Sequence, residues 1–209
     1  MKVNRSLGLT LVAAALVTVY GCGKEEPKKA EAPAPAAAAP AMPEVTVKIG
    51  HVAPTTGPQA HLGKDNENGA RLAIDDANAK GIVIDGKKVK FDLDAQDDQA
   101  DPKQGTIVAQ KLVDDKVAGV VGHLNSGTSI PASKIYNDAG IPMISPSATN
   151  PKLTLQGFKD VFRVMANDVQ QGSVIGKAAV ETLGAKKIAI IDDKTAYGAG
   201  LADETEKAA

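Results

Sequence analysis

Two hydroxyl-rich segments near the middle of the chain have the residue types best suited to bind a small charged molecule. The first is HLNSGTS at positions 123–129, and the second is SPSAT at positions 145–149. Ser and Thr hydroxyls both donate and accept hydrogen bonds, so these segments can bind a carboxylate through donors and an ammonium group through acceptors. A free amino acid carries both groups. The pattern therefore predicts a site for a small zwitterion.

A strand, a helix and a second strand are predicted to position the two segments. The apolar runs at 118–121 and 141–144 are too short for helices and indicate buried strands. Pro131 is predicted to open the helix between them, and Gly140 suits the cap at its end. In a parallel sheet, a right-handed crossover brings both segments to the same carboxyl edge, where open α/β sheets bind ligands.

The rest of the folded part alternates strands with helices. Apolar patterns and turn residues predict strands at 45–49, 89–94, 161–164 and 187–192, and helices at 66–80, 102–113, 167–183 and 198–209. Asn66, Asp101 and Asn167 are the expected N-caps. Residues 53–63 are expected to form an irregular loop that adds to the site. This order predicts an α/β fold with parallel sheets.

Several longer segments carry a resemblance to one protein family. VVGHLNSGTSIPAS and MISPSAT, with IGHVAPTTGPQAHLG, NGARLAIDDANAKGI, DDQADPKQ and IAIIDDKTAYGAGLADE, closely resemble the leucine/isoleucine/valine substrate-binding proteins of ABC transporters. The resemblance runs from about Val45 to the last residue. It implies the type I periplasmic-binding-protein fold, with a first lobe at 45–166 and the start of a second at 167–209. Since only one βα unit of the second lobe is present, we expect the chain to be C-terminally truncated relative to that family.

The same resemblance implies which residues bind the ligand. They are Leu62, Ser126, Ser147, Ala148, Thr149 and Tyr197. Ser126 and Thr149 would hold the carboxylate and ammonium groups with help from the Ser147 backbone, and Tyr197 would close from the second lobe. A role of Ser126 or Thr149 in capping alone stays open.

Two positions depart from the family pattern. Leu62 stands where a tyrosine is common, and Asn125 occupies one position of a disulfide known in close relatives. The pocket for the ligand side chain is therefore expected to differ.

The N-terminus has the features of an export signal. Lys2 and Arg5 precede an uncharged run, and the segment ends in VYGC, which looks like a bacterial lipobox in which Cys22 is lipidated. Residues 1–21 are then a lipoprotein signal peptide, and the Ala/Pro-rich residues 22–44 are a solvated tether. Cleavage by ordinary signal peptidase is the alternative. With a single cysteine the chain can form no intrachain disulfide.

Other classes of site are poorly supported. A net charge of −1 without a basic patch argues against nucleic acid, and neither a P-loop, a GxGxxG motif nor a G-x-S-x-G motif occurs. The three histidines lack metal-ligand spacing. Asp97, Asp98 and Asp101 favour a solvated turn over a metal site. We therefore expect no metal, no cofactor and no enzymatic activity.

The combined interpretation is an extracytoplasmic substrate-binding component of an ABC importer for branched-chain or related amino acids. Its expected partners are the amino acid, a membrane permease, and the membrane itself through a lipid anchor, which places it in the periplasm or cell envelope. The alternative is a ligand-sensing receptor domain of the same fold.

Overall fold

A six-stranded sheet forms the centre of residues 42–209, the part of the chain that the computed structural model describes. Its strands are β1 (Glu44–Ala53), β2 (Val83–Ile84), β3 (Lys87–Asp97), β4 (Val120–Gly122), β5 (Met143–Ser145) and β6 (Val161–Arg163). They lie in the order β2-β3-β1-β4-β5-β6, and every pair is parallel except the β2–β3 hairpin. The predicted α/β class is confirmed. The predicted signal peptide at 1–21, Cys22 and most of the predicted tether lie outside the described residues.

Helices connect these strands. They are α1 (Ala60–Lys80), α2 (Pro102–Asp114), α3 (Ser126–Asp138), α4 (Lys152–Leu155), α5 (Asp168–Lys177) and α6 (Ala196–Ala208), and a π-helical segment, Ala178–Thr182, continues α5. Within residues 42–209, none of these helices combines the length and the apolar character needed to cross a bilayer.

Several predicted helix ends and turns are confirmed. The Asp101 carboxylate accepts a hydrogen bond from the Gln104 N–H at 2.7 Å, and Pro102 is the first helical residue of α2. Gly81 ends α1 in the left-handed conformation with a φ of 62°. Residues of this kind specify local structure because the cap or the positive φ needs only neighbouring backbone.

Two helices begin earlier than predicted. The Gln59 carbonyl accepts from the N–H groups of Leu62 and Gly63, so α1 starts at Ala60 and not after Asn66. The Asn125 carbonyl accepts from the N–H groups at 128 and 129, so α3 starts at Ser126 and Pro131 lies inside it. Both corrections convert part of a predicted loop into the first turn of a helix.

The predicted strand at 187–192 is wrong. Among the described residues no strand pairs with this segment, and Ile191 is 95% exposed. A strand needs a hydrogen-bonded neighbour for its backbone, so a strand-like sequence without such a neighbour does not form a ladder. The predicted helix at 167–183 is also modified, because its last turn is π-helical.

The apolar core lies between the sheet and helices α2 and α3. Leu112, Ala132 and Met143 are fully buried there. Leu112 packs directly over Gly50, where an added Cβ would come within 2.9 Å of its side chain. Burying a side chain of this size contributes about 1.5–3 kcal/mol, so this layer fixes the positions of the strand ends.

A buried polar network lies at the edge of this core. Asp98 is 0% exposed, which corrects the prediction that all three carboxylates of its turn are solvated. Its Oδ2 lies 3.0 Å from His123 Nδ1, and His123 Nε2 lies 3.0 Å from the Tyr136 hydroxyl. A proton on Nδ1 satisfies all three groups, because the ring then donates to Asp98 and accepts from Tyr136. Burial, with the nearby Asp98 charge, raises the pKa of Tyr136 and keeps its hydroxyl protonated as a donor.

Replacing the His123 ring with an apolar side chain should strongly destabilise the protein. His123→Leu leaves Asp98 Oδ2 and the Tyr136 hydroxyl buried without partners, and each buried polar group left unpaired costs about 1–3 kcal/mol, so we expect a loss of about 3 kcal/mol. Urea unfolding followed by circular dichroism measures it. His61 is exposed on α1, so His61→Leu is the control and should change stability by less than about 0.5 kcal/mol. Equal stability of the two variants would contradict a structural role for the network.

A close backbone contact joins the start of α1 to the end of β1. A Cβ added at Gly63 would lie 2.0 Å from the Pro54 carbonyl oxygen, whereas a Cβ added at Gly69 on the same helix would meet nothing within 4 Å. Only glycine therefore allows the first turn of α1 to pack on the loop after β1.

These two glycines should respond oppositely to alanine. Gly63→Ala should destabilise the protein by about 1–3 kcal/mol, since the backbone must move to remove the overlap. Gly69→Ala should stabilise it by about 0.5–1 kcal/mol, because alanine is the better helix former. Thermal unfolding of both variants tests this, and a stabilised Gly63→Ala would show that the contact is not tight.

Candidate functional site

The carboxyl ends of β1, β4 and β5 meet at one edge of the sheet. From β1 the sheet continues to β3 on one side and to β4 on the other, so the chain runs in opposite directions from this point. Loops that leave such a switch point diverge and open a crevice between them, which is the usual ligand site of open α/β sheets. The loops after β1, β4 and β5 surround this crevice.

A cavity of about 710 Å³ occupies the crevice. Its volume lies in the range of small-molecule sites, about 300–1,000 Å³. It is lined by Gln59, Leu62, Ala100, Pro102, Leu124, Asn125, Ser126, Gly127, Ser147, Thr149, Asp193, Lys194, Thr195, Ala196 and Tyr197. Apolar side chains lie beside hydroxyls and amides, as a ligand with both an apolar and a polar part requires.

The structure brings most of the sequence-predicted site residues together. Leu62, Ser126, Ser147, Thr149 and Tyr197 all line the cavity. Ala148 does not. It is 1% exposed, belongs to the apolar core, and its carbonyl accepts from the Arg163 guanidinium at 2.9 Å.

The hydroxyl of Ser126 connects the two hydroxyl-rich segments. It lies in the first turn of α3 and accepts a hydrogen bond from the backbone N–H of Asn150 at 3.2 Å. Because the oxygen already accepts from a backbone donor, its own O–H proton is left to donate. Ser126 is therefore suited to an anionic acceptor such as a carboxylate.

Hydrogen bonds to backbone carbonyls hold the second segment in place. Ser145 Oγ donates to the His123 carbonyl at 2.8 Å and accepts from the Ala148 N–H at 2.9 Å. Ser147 Oγ donates to the Leu124 carbonyl at 2.9 Å. These hydroxyls are used within the protein, so Ser147 borders the cavity with its side chain already bonded.

Thr149 differs from its neighbours because its hydroxyl has no partner. Its oxygen is buried, and among the described residues no group forms a hydrogen bond with it. Its carbonyl accepts from the backbone N–H of Asp168 at 2.9 Å, which places the first turn of α5 against this segment. The Asp168 side chain is fully buried, and both of its carboxylate oxygens also have no hydrogen-bond partner.

Burial raises the pKa of Asp168 above its usual value. The nearby Thr149 hydroxyl and Arg163 guanidinium oppose this rise, and the Glu204 carboxylate adds to it. The Thr149 hydroxyl is thus close to the carboxylate, although the pair does not meet the geometry of a hydrogen bond.

Sequence reasoning did not assign the remaining polar lining. Asn125 Nδ2 donates to Gln59 Oε1 at 2.7 Å and so joins the loops after β1 and β4, while Asn125 Oδ1 is buried without a hydrogen-bond partner within residues 42–209. No motif predicts this pairing, because the two residues are far apart in sequence.

The segment before α6 could have been found from its sequence. Asp193 accepts from the Thr195 N–H and hydroxyl, bonds that lower the pKa of its carboxyl, and Thr195 caps α6. An Asp-x-Thr sequence directly before a helix-forming segment is a usable N-cap signal. Asn150 Nδ2 then donates to the Ala196 carbonyl at 2.6 Å and links this segment to the loop after β5.

Metal-ligating residues do not cluster in the part of the chain that the structure describes. Residues 42–209 contain no group of three or more His, Cys, Asp or Glu side chains placed to hold an ion. Asp97, the first carboxylate of the acidic turn, accepts from the N–H groups of Thr55 and Gln99, both at 2.9 Å. Its oxygens therefore order the turn. Burial opposes ionisation of this carboxyl, but hydrogen bonds from the Thr56 hydroxyl and from these N–H groups outweigh it and lower its pKa.

Two curated relatives are close in sequence. The Leu/Ile/Val-binding protein homolog 1 of Brucella abortus (strain 2308) is 47% identical over 167 residues, which cover 80% of this chain and 44% of the relative. An amino acid binding protein of Pseudomonas aeruginosa is 48% identical over 160 residues, which cover 76% of this chain and 42% of the relative. The chain thus spans less than half the length of these relatives.

Solved structures share the fold. LivJ of Streptococcus pneumoniae, a branched-chain amino acid transporter substrate binding protein crystallised with isoleucine, superposes with a TM-score of 0.70 at 34% identity. The match covers 78% of this chain and 47% of that one. The predicted type I periplasmic-binding-protein fold is confirmed.

The family comparison agrees with the geometry of the crevice. The family described as periplasmic binding protein matches residues 46–209, which include every strand end and loop that borders the cavity. The chain belongs to the periplasmic binding protein family and is similar to its leucine/isoleucine/valine-binding members.

Proposed function

We propose that this chain forms the ligand-binding part of an extracytoplasmic substrate-binding protein, which delivers a branched-chain or related amino acid to an ABC permease in the membrane. The observation that carries the proposal is the convergence of Ser126, Thr149 and Tyr197, from three separate elements, on one cavity at the switch point of the sheet. Relatives named for Leu/Ile/Val binding and LivJ crystallised with isoleucine support the ligand class.

The lining matches the chemistry of such a ligand. The free proton of Ser126 suits the carboxylate, and the unpartnered oxygen of Thr149 suits the ammonium group. Leu62, Pro102 and Leu124 offer apolar contacts to a branched side chain. The ligand carboxylate would therefore meet a hydroxyl that can donate, and the ligand ammonium group would meet a hydroxyl that can accept.

Binding without catalysis is the simpler function for these residues. The Ser126 hydroxyl is bonded to a backbone N–H and not to a histidine or other base, so the described residues do not activate it as a nucleophile. The chain's relatives are binding proteins of transport systems, which supports the same conclusion.

We also propose attachment to the cell envelope through a lipid on Cys22, with the Ala/Pro-rich residues 22–44 as the tether. The support is the lipobox-like VYGC sequence and the unique cysteine. A stable anchor of this kind would keep the binding part near its permease, since several acyl chains together hold a protein on a bilayer.

Removing either hydroxyl should weaken amino acid binding. Hydrogen bonds to charged groups contribute about 1.5–3 kcal/mol, so Ser126→Ala and Thr149→Val should each lower leucine, isoleucine and valine affinity by roughly ten- to a hundredfold. Isothermal titration calorimetry on the full product of the gene measures this. Thr149→Val should lower the melting temperature by no more than a few degrees, because within residues 42–209 no hydrogen bond of this hydroxyl meets the usual geometry.

Ser133 on the same helix provides the matched control. Its buried hydroxyl donates to the Ile130 carbonyl at 2.7 Å and lies away from the cavity, so Ser133→Ala should lower the melting temperature by a few degrees without changing affinity. If Ser126→Ala behaves like Ser133→Ala, Ser126 is a structural cap. If wild type binds no amino acid, the proposed ligand class is wrong.

The lipid anchor should depend on one residue. Cells that express the full gene product and grow with an alkyne-labelled palmitate should label wild type, and Cys22→Ser should abolish the label. Wild type should sediment with membranes. Equal labelling of both proteins, or release of unlabelled wild type by ordinary signal cleavage, would overturn the proposed anchor.

A further inference from the structure

Asp168 is a buried carboxylate without an assigned role. It is 0% exposed, both of its oxygens lack a hydrogen-bond partner among the described residues, and it lies beside Thr149 through the 2.9 Å backbone bond to the Thr149 carbonyl. A buried carboxylate is normally paired or hydrogen-bonded, because removing its charge from water is costly. The position therefore calls for a specific reason.

The surrounding groups leave Thr149 as the natural partner. The Arg163 guanidinium, which faces the same region, is already bonded to the carbonyls of Ala148 and Asn150, both at 2.9 Å. The Glu204 carboxylate on α6 has the same charge as Asp168 and repels it. The Thr149 hydroxyl has an unused proton, and an ionised carboxylate only accepts.

We infer that Asp168 is a positioning residue for the binding site, which accepts the hydroxyl proton of Thr149 and so leaves the lone pairs of Thr149 Oγ1 for the ammonium group of the ligand. The inference rests on the proposed function. A hydroxyl carries one donor and two acceptor lone pairs, so fixing where its proton goes also fixes what its oxygen offers. Without Asp168, the Thr149 hydroxyl can rotate freely, so it presents either its proton or its lone pairs to the cavity.

With this arrangement, the two hydroxyls at the site have opposite hydrogen-bonding roles toward the ligand. Ser126 accepts from the Asn150 N–H and donates to the ligand, whereas Thr149 donates to Asp168 and accepts from the ligand. The site should therefore discriminate by the presence of the ligand's amino group.

Leucine and its analogue without the amino group, 4-methylpentanoate, test this discrimination by calorimetry. In the full gene product, Asp168→Asn should weaken leucine binding about tenfold and change 4-methylpentanoate binding less than twofold. Its melting temperature should be no lower than wild type, since it replaces a buried charge with a neutral amide. Asp138→Asn, on the exposed face of α3, is the control and should alter neither affinity.

A double-mutant cycle shows whether Asp168 acts through Thr149. In the Thr149→Val background, Asp168→Asn should have no further effect on leucine, because the hydroxyl that it orients is gone. Thr149→Ser should retain most of the dependence on Asp168. Additive losses would overturn the inference.

The pH dependence gives a second readout. A protonated Asp168 would donate to the Thr149 oxygen, and the Thr149 proton would then point toward the ligand ammonium group. Burial raises the pKa of the Asp168 carboxyl despite the opposing effects of Thr149 and Arg163. The leucine affinity of wild type should therefore fall as the pH is lowered, and that of Asp168→Asn should not.

Each remaining outcome is decisive. A lower melting temperature with equal losses for both ligands would make Asp168 a purely structural residue. If wild type binds leucine and Asp168→Asn binds it equally well, this inference alone fails. If wild type binds neither compound nor any amino acid, the proposed function fails with it.

Discussion

One residue, His123, holds the ends of three strands in a fixed relation. Its ring bonds to Asp98 after β3 and to Tyr136 on α3, while its carbonyl accepts from Ser129 at 3.1 Å and from Ser145 at 2.8 Å. Parallel strands bring their loops to one edge but do not fix the distances between those loops. A buried network in which every polar group is hydrogen-bonded fixes these distances, because no member can move without losing a hydrogen bond in a low-dielectric surrounding.

This constraint positions two of the loops that border the cavity. His123 anchors the start of the loop after β4. Ser145 and Ser147 then attach the loop after β5 to it, because their hydroxyls donate to the carbonyls of His123 and Leu124. The start of α1 is set independently by the close approach of Gly63 to the Pro54 carbonyl. Loops that are already ordered do not lose further conformational entropy when a ligand binds, so more of the interaction energy appears as affinity.

Some caps and turns that depend on near neighbours were predicted correctly, whereas several features that depend on distant residues were missed. The Asp101 cap before Pro102 and the left-handed Gly81 were correct, because each needs only its own turn. The strand expected at 187–192 failed, since an apolar alternation does not show whether a neighbour strand exists. Of the six residues expected by resemblance, all but Ala148 line the cavity. No local sequence pattern indicates the Gln59–Asn125 pair or the burial of Asp168.

In the described part of the chain, the buried polar groups that support the loops are hydrogen-bonded, whereas several buried polar atoms at the cavity are not. The Asp98–His123–Tyr136 network is complete, whereas the hydroxyl of Thr149, the Asn125 carbonyl oxygen and the Asp168 carboxylate lack partners among the described residues. Thr149 and Asn125 line the cavity, and Asp168 lies directly behind Thr149. Unpaired buried groups lower stability, so their concentration here is a cost that a ligand of the right polarity can offset. His51 Nε2 and Asn66 Oδ1, which do not line the cavity, also lack partners among the described residues, so four of the six such atoms lie at or next to the cavity, where a bound charge can offset part of their cost.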